Sequence, residues 1–353
     1  MHHRRVLHSL GRMLTIGLAT MGALVARAQG AGPLYGPAGV SPAAVLQGTL
    51  GSCYFHATVA AIAVHHPELL RNAIADEGNG VYRVSFRNAQ PETIHVEDVV
   101  YARENGFDRS DGLWVAVLLR GMGQRTIRES LEASFAVADL PGPAKGLAKS
   151  LIESNDTLLQ AYDRAIRATV QQDGSMSRET LRSRLRQKAS ELGVPGFLSD
   201  PVVSALDASG FFETLSKKVQ ERGELFGAYR SVGQGGLPTV VIEAFMGPAV
   251  SVNLRNSSQA RTILSNAQRE GTPVVAIAMG GASESVKQRV HTNNGQQDWY
   301  VANHSYTVEG FDPGSDRATL RNPWGHTPSP GGVFTISMDD FADSFPILCV
   351  PSR

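Results

Sequence analysis

Two short segments, far apart in the chain, gather side-chain types that suit thiol chemistry. One reads Gln47-Gly-Thr-Leu-Gly-Ser-Cys53-Tyr-Phe-His-Ala. The other reads Asn303-His304-Ser-Tyr-Thr-Val and continues, a strand's length later, into Leu-Arg-Asn322-Pro-Trp324-Gly325. A thiol attacks as its thiolate, so it needs a base; the base needs an orienting partner, and the tetrahedral intermediate needs donors for its oxyanion. Cys53, His304, Asn322 and Gln47 supply those four parts in side-chain type. They are far apart in sequence, so only the fold can assemble them.

Each residue has a local context that suits its part. Cys53 follows a Gly-Ser turn and opens an apolar run, the pattern of a helix start. Free amides at a helix N-terminus favour an anion there. Gln47, six residues earlier in the loop, carries an amide able to donate beside the Cys53 backbone N–H. His304 begins an expected strand, where a rigid backbone fixes the ring and lets it move a proton from thiol to leaving amine. Asn322 ends the next expected strand, and an antiparallel pair would set its side-chain oxygen against the imidazole. Trp324 is expected to cover that hydrogen bond. Taken singly, each has a bland reading: a loop glutamine, a structural histidine, an Asn-Pro turn.

The elements expected to hold them follow from periodicity and punctuation. Cys53–His66 is apolar on most faces and reads as a buried helix stopped by Pro67. Residues 79–101 alternate as strands, the second over Thr93–Val99. Leu113–Arg120 begins another apolar helix. Residues 130–225 carry repeated helical patterns broken by Pro141-Gly-Pro143, Asp173-Gly174 and Pro195-Gly196, and read as a helical insertion. Beyond Gly247-Pro248 the chain turns β-rich: Thr272–Met279 suits a central strand, and Ser305–Gly310, Ala318–Arg321, Gly332–Ser337 and Ile347–Val350 read as short strands. A polar Gly/Asn-rich loop over 280–298 leads into His304.

With these residues in place, the chain resembles the calpain family of papain-like cysteine proteases. Gln47-Gly-Thr-Leu-Gly-Ser-Cys53-Tyr-Phe55 matches that family's Gln-Gly-x-x-Gly-Asp-Cys-Trp-Phe, Asn303-His304-Ser305-Tyr306 its Gly-His-Ala-Tyr, and Leu-Arg-Asn-Pro-Trp-Gly is intact at 320–325. Fainter echoes are Gly112-Leu-Trp114, Gly235-Gly236 before Glu243-Ala244, and Gly332-x-Phe334 with Asp340-Phe341. The likeness spans 42–128 and 229–350. It implies an α+β, two-lobed papain-like fold. A helical lobe over 29–247 would carry Gln47 and Cys53, with the insertion at about 130–225 having no counterpart in the usual core. A β-rich lobe over 248–353 would carry His304 and Asn322. It also implies roles: Cys53 nucleophile, His304 base, Asn322 orienter, Gln47 oxyanion donor. Three positions depart from the pattern: Ser52 stands for an acidic residue, Tyr54 for tryptophan and Asn303 for glycine.

Composition bounds the partners. The 353 residues carry 33 basic and 33 acidic side chains, so no electrostatic footprint for nucleic acid exists. His2-His3-Arg4-Arg5 and Arg12 precede the apolar run Met13–Val25, and Ala26-Arg27-Ala28 is a small-x-small cleavage site. Residues 1–28 therefore read as a signal peptide and the protein as secreted or periplasmic, without stable membrane association after cleavage. An uncleaved anchor is the competing reading. The two cysteines, Cys53 and Cys349, invite a disulfide reading, but Phe345-Pro-Ile-Leu-Cys-Val looks like a buried strand in which a free cysteine packs as a small hydrophobe. Calpain-like cores are commonly gated by calcium, yet loop 280–298 offers only Glu284 and Asp298, thin for a site wanting six to eight oxygens; no cofactor is identified. The expectation is a cysteine endopeptidase acting on protein or peptide through a thioester acyl-enzyme. Its competitors are a hydrolase or transferase of cell-wall peptides and a catalytically silent binding module.

Overall fold

The computed structural model describes residues 32–137, 183, 186, 227–279, 301–325 and 332–352. The expected signal peptide, nearly all of the expected insertion and loop 280–298 lie outside these residues. Among the described residues the chain is of the α+β class: helices beside two antiparallel sheets, with no closed barrel.

Helix α1 (Cys53–His65) starts at the thiol and ends before Pro67, which opens the short α2 (Pro67–Asn72). Every residue from Tyr54 to Ala63 is buried. A helix apolar on all faces belongs inside a core rather than on its surface. One side of α1 packs through Phe55, Val59 and Ile62 into a core shared with α4 (Trp114–Val137) and its fully buried Trp114. The alanine side, Ala57 and Ala61, meets Val275 and Cys349 of the larger sheet. Small side chains there allow close approach, close enough for the Thr307 hydroxyl to donate to the Ala57 carbonyl at 2.7 Å.

The smaller sheet has the order β1 (Ile74–Gly78), β2 (Val81–Val84), β3 (Glu92–His95). Its third strand stops at His95, so the strand expected over Thr93–Val99 is corrected: Val96–Glu104 is helix α3. Glu97 and Asp98 sit in its first turn, where the helix end favours negative charge, and Val96, Val99 and Ala102 fall on its buried side at helical spacing. Buried ion pairs tie α4 to these elements, Arg120 to Asp98 at 3.1 Å and Arg128 to Glu92.

Helices α5 (Gly227–Gly233) and α6 (Pro238–Phe245) lead into the larger sheet, ordered β4-β9-β5-β6-β7-β8. Its strands are β4 (Ala249–Asn253), β5 (Val274–Ala278), β6 (His304–Asp312), β7 (Arg317–Arg321), β8 (Val333–Ser337) and β9 (Ile347–Pro351). The apolar run at 272–279 is interior, as read from the sequence. All neighbours pair antiparallel, with Ala278 opposite His304 and Thr307 opposite Arg321. One face of this sheet is covered by α7 (Ser257–Glu270) and α8 (Met338–Ser344). Helix α7 interrupts the stretch expected to be β-rich. It is built by a cap at each end: Asn256 Oδ1 accepts from Gln259 N–H, and Gly271 closes it at φ 65°.

Candidate active site

The imidazole, the amide and the indole come together at the start of β6 and the end of β7. His304 Nε2 lies 2.9 Å from Asn322 Oδ1. The same oxygen accepts the Trp324 backbone N–H at 3.0 Å. A backbone N–H only donates, so it fixes which end of the Asn322 amide is oxygen. His304 must then donate from Nε2, leaving Nδ1 as the bare, basic nitrogen. The Trp324 ring stands 4.7 Å from the imidazole, centroid to centroid, and Tyr306 meets it edge-on at 5.0 Å. His304 is 4 % exposed. Burial pushes its pKa down to about 4, against an opposing rise from the Asn322 hydrogen bond, so the ring is neutral at pH 7.

Asn303, where the resemblance has glycine, sits at φ 54°. That is the left-handed region, which glycine enters freely and asparagine more readily than other side chains. Asn303 therefore holds a left-handed turn directly before His304.

Gln47 is held against this group by its backbone: Gln47 N–H donates to the Pro323 carbonyl at 2.8 Å. Its segment also bridges Asp108. Gly48 fits there only because it lacks a side chain, since a Cβ would lie 1.9 Å from the Gly106 carbonyl oxygen. The Gln47 side chain is buried, and Nε2 donates to the Leu50 carbonyl at 2.6 Å. One amide hydrogen is thereby used. Oε1 has no partner.

Cys53 is the first residue of α1, partly exposed and not in a disulfide. Its N–H has no intrahelical acceptor, as for any first-turn amide. Ser52 precedes it with a buried Oγ that neither caps the helix nor finds another partner. Tyr54 replaces the resemblance's tryptophan; it is buried, its hydroxyl pushed up to about 12 by desolvation, and its ring lies under Gly236. Two ties bring α1 to the imidazole group: Thr307 to Ala57, one turn beyond Cys53, and Gln47 to Pro323. Among the described residues no hydrogen bond joins the Cys53 thiol to His304. Such bonds commonly close only with substrate bound.

Cys349 is in β9, fully buried and opposite Ser251 and Val275, and burial raises its thiol pKa. Among the described residues no group of three His, Cys, Asp or Glu side chains is placed to hold a metal ion. No helix among them is long and apolar enough to cross a membrane. The sequon-like Asn256-Ser-Ser is the α7 cap.

One feature went unread in the sequence: His56 and Asp108 form a fully buried pair, Nε2 to Oδ1 3.3 Å, directly behind Ser52. The available signal was a histidine inside an otherwise apolar helical run, too slight to point at a partner 52 residues away.

No protein-family model matches the chain, and no curated protein matches it. Among solved structures it is similar to PepW from Lactobacillus rhamnosis HN001, with 12 % identity and a TM-score of 0.31 over 88 % of this chain and 80 % of that one. That likeness is too slight to define a shared fold.

Proposed function

We propose that the protein is a calpain-like, papain-like cysteine endopeptidase with Cys53, His304, Asn322 and Gln47 as its working groups. The observation that carries this reading is the oriented imidazole. Asn322 Oδ1, itself locked by the Trp324 N–H, accepts a hydrogen bond from Nε2–H and leaves Nδ1 as base. A histidine buried merely for packing has no need of an amide oxygen fixed by a second donor.

In the proposed reaction Nδ1 takes the Cys53 proton and the thiolate attacks the peptide carbonyl carbon. The oxyanion is met by the Cys53 N–H and the second Gln47 amide hydrogen. The imidazolium gives its proton to the leaving amine as the C–N bond breaks, leaving a thioester. Water, deprotonated by the same nitrogen, then releases the acid and restores the thiol. Substrates are extended segments of other proteins, outside the cell or in the periplasm.

A second reading, a catalytically silent module, draws on the absence of a thiol–imidazole bond among the described residues. Hydrolysis of fluorescein-casein by the full chain decides between them, with peptidoglycan as a parallel substrate. Cleavage of casein lost in Cys53→Ala supports the endopeptidase. Release from peptidoglycan alone transfers the same chemistry to cell-wall peptides. Activity on neither, with the protein folded, favours the silent module.

A further inference from the structure

Resting on the hydrolase reading, we infer that His56 and Asp108 are positioning residues which hold and polarise the peptide unit between Ser52 and Cys53, and through it the oxyanion-binding N–H of Cys53.

The Ser52 carbonyl belongs to the same peptide unit as the Cys53 N–H. A trans peptide is planar, with its C=O and N–H pointing in opposite directions. Fixing the oxygen therefore aims the hydrogen. The Ser52 oxygen receives three donors: Phe55 N–H at 3.1 Å, His56 N–H at 3.0 Å and the His56 ring Nδ1 at 3.0 Å. The first two come with the helix. The third is an extra side-chain bond made backwards onto the first turn, in a fully buried place.

The ring's other nitrogen supplies the second half. A carbonyl only accepts, so Nδ1 carries a proton. Nε2 faces the Asp108 carboxylate oxygen Oδ1 at 3.3 Å. The ring is thus gripped at both nitrogens, by the Ser52 carbonyl and by Asp108, which fixes its plane against the first turn of α1. Asp108 is held in turn by Ser110, whose hydroxyl donates to Oδ1 at 2.7 Å and whose N–H approaches Oδ2 at 3.3 Å. The Ser110 hydroxyl oxygen accepts the Leu46 N–H at 2.9 Å, and Asp108 pairs with Gln47 across the backbone bridge. One buried network thus reaches the supports of both oxyanion donors, the Cys53 amide and Gln47. Linked hydrogen bonds in a low-dielectric interior polarise each other, making the N–H at the far end of the peptide a stronger donor.

Alkylation and acylation separate this role from general support of the thiol. Iodoacetamide loses iodide and builds no charge on oxygen, so it reports Cys53 alone. Peptide cleavage and hemithioacetal formation with the aldehyde acetyl-Leu-Leu-norleucinal both create an oxyanion. The experiment compares the full-length wild type with His56→Leu, Asp108→Asn and, as calibration, Gln47→Ala. It reads kcat and KM on fluorescein-casein, the aldehyde's inhibition constant, and the alkylation rate at Cys53. Losing an oxyanion donor outright lowers kcat roughly 10²–10³-fold, which sets the scale for Gln47→Ala. Misaiming one places His56→Leu and Asp108→Asn at about ten- to hundred-fold in kcat. KM should change little, aldehyde affinity should fall in proportion to kcat, and alkylation should stay near wild type. Asp108→Asn, nearly isosteric, carries the test if His56→Leu does not fold. Unchanged kcat, or alkylation slowed as much as kcat, overturns the inference while leaving the hydrolase reading intact. A wild type that alkylates at Cys53 but neither cleaves casein nor binds the aldehyde overturns both.

Discussion

Acidification should expose the cost of burying His304. Its pKa is about 4 in the folded protein, depressed chiefly by burial, against 6.5 for the free side chain. Between these values the unfolded chain binds a proton that the folded chain refuses. Stability from this group is therefore complete above pH 6.5, falls as pH drops through that window, and levels off below about 4. Each unit between the two values corresponds to about 1.4 kcal/mol, so the full swing is about 3 kcal/mol. The clean comparison is Cys53→Ala against Cys53→Ala/His304→Gln, because without the thiol no thiolate can hold the imidazolium. Urea unfolding at pH 4.0 to 8.0 gives both free energies. Their difference cancels the other histidines and should shift by about 3 kcal/mol against the His304-containing protein on going to the acid end. Parallel curves, or a His304 protein gaining stability in acid, would refute the placing of this imidazole in a dry pocket.

Three substitutions probe the supports. Asn322→Ala removes the acceptor of both the buried His304 Nε2 and the half-buried Trp324 N–H; the buried donor left bare should cost about 1–3 kcal/mol in denaturant unfolding and lower kcat on casein. Ser52→Ala removes a buried hydroxyl that has no partner, so stability should hold or rise, within about 1 kcal/mol, in the same unfolding assay. Gly48→Ala forces a Cβ to within 1.9 Å of the Gly106 carbonyl. Backbone cannot yield as a side chain tip does, so a drop in melting temperature with loss of casein cleavage is expected, whereas Gly310→Ala, with open space around it and no positive φ, should keep activity.

The legible parts of this chain are those written locally. Cys53 opens a helix because a Gly-Ser turn precedes a run of apolar or small residues broken up to Val64 only by His56, and Pro67 stops it; both marks lie within one turn of the ends. The strands at 304–312, 317–321, 333–337 and 347–351 announced themselves by short apolar runs between turns. The strand expected over Thr93–Val99 ran too far because Ile94 and Val96 alternate as in a strand; the acidic first turn and Ala102 decide for helix, and their weight shows only against the core. The caps of α7, Asn256 and Gly271, stood in the sequence and were outweighed by the β-rich surroundings. At the site, residue types gave Asn322 as the partner of His304. Sequence did not give the tautomer, which depends on the Trp324 amide, nor the Leu50 carbonyl on Gln47. Least legible was His56 with Asp108, because long-range pairing of two polar residues leaves no periodic trace.

The most direct test of the central claim is reaction of the full chain with a peptidyl epoxide, the adduct located by peptide mapping. One adduct, on Cys53, formed rapidly at neutral pH, greatly slowed in His304→Ala and absent from Cys349, is the predicted result. Labelling that is equally fast without His304, or that falls on Cys349, would contradict an activated Cys53–His304 pair.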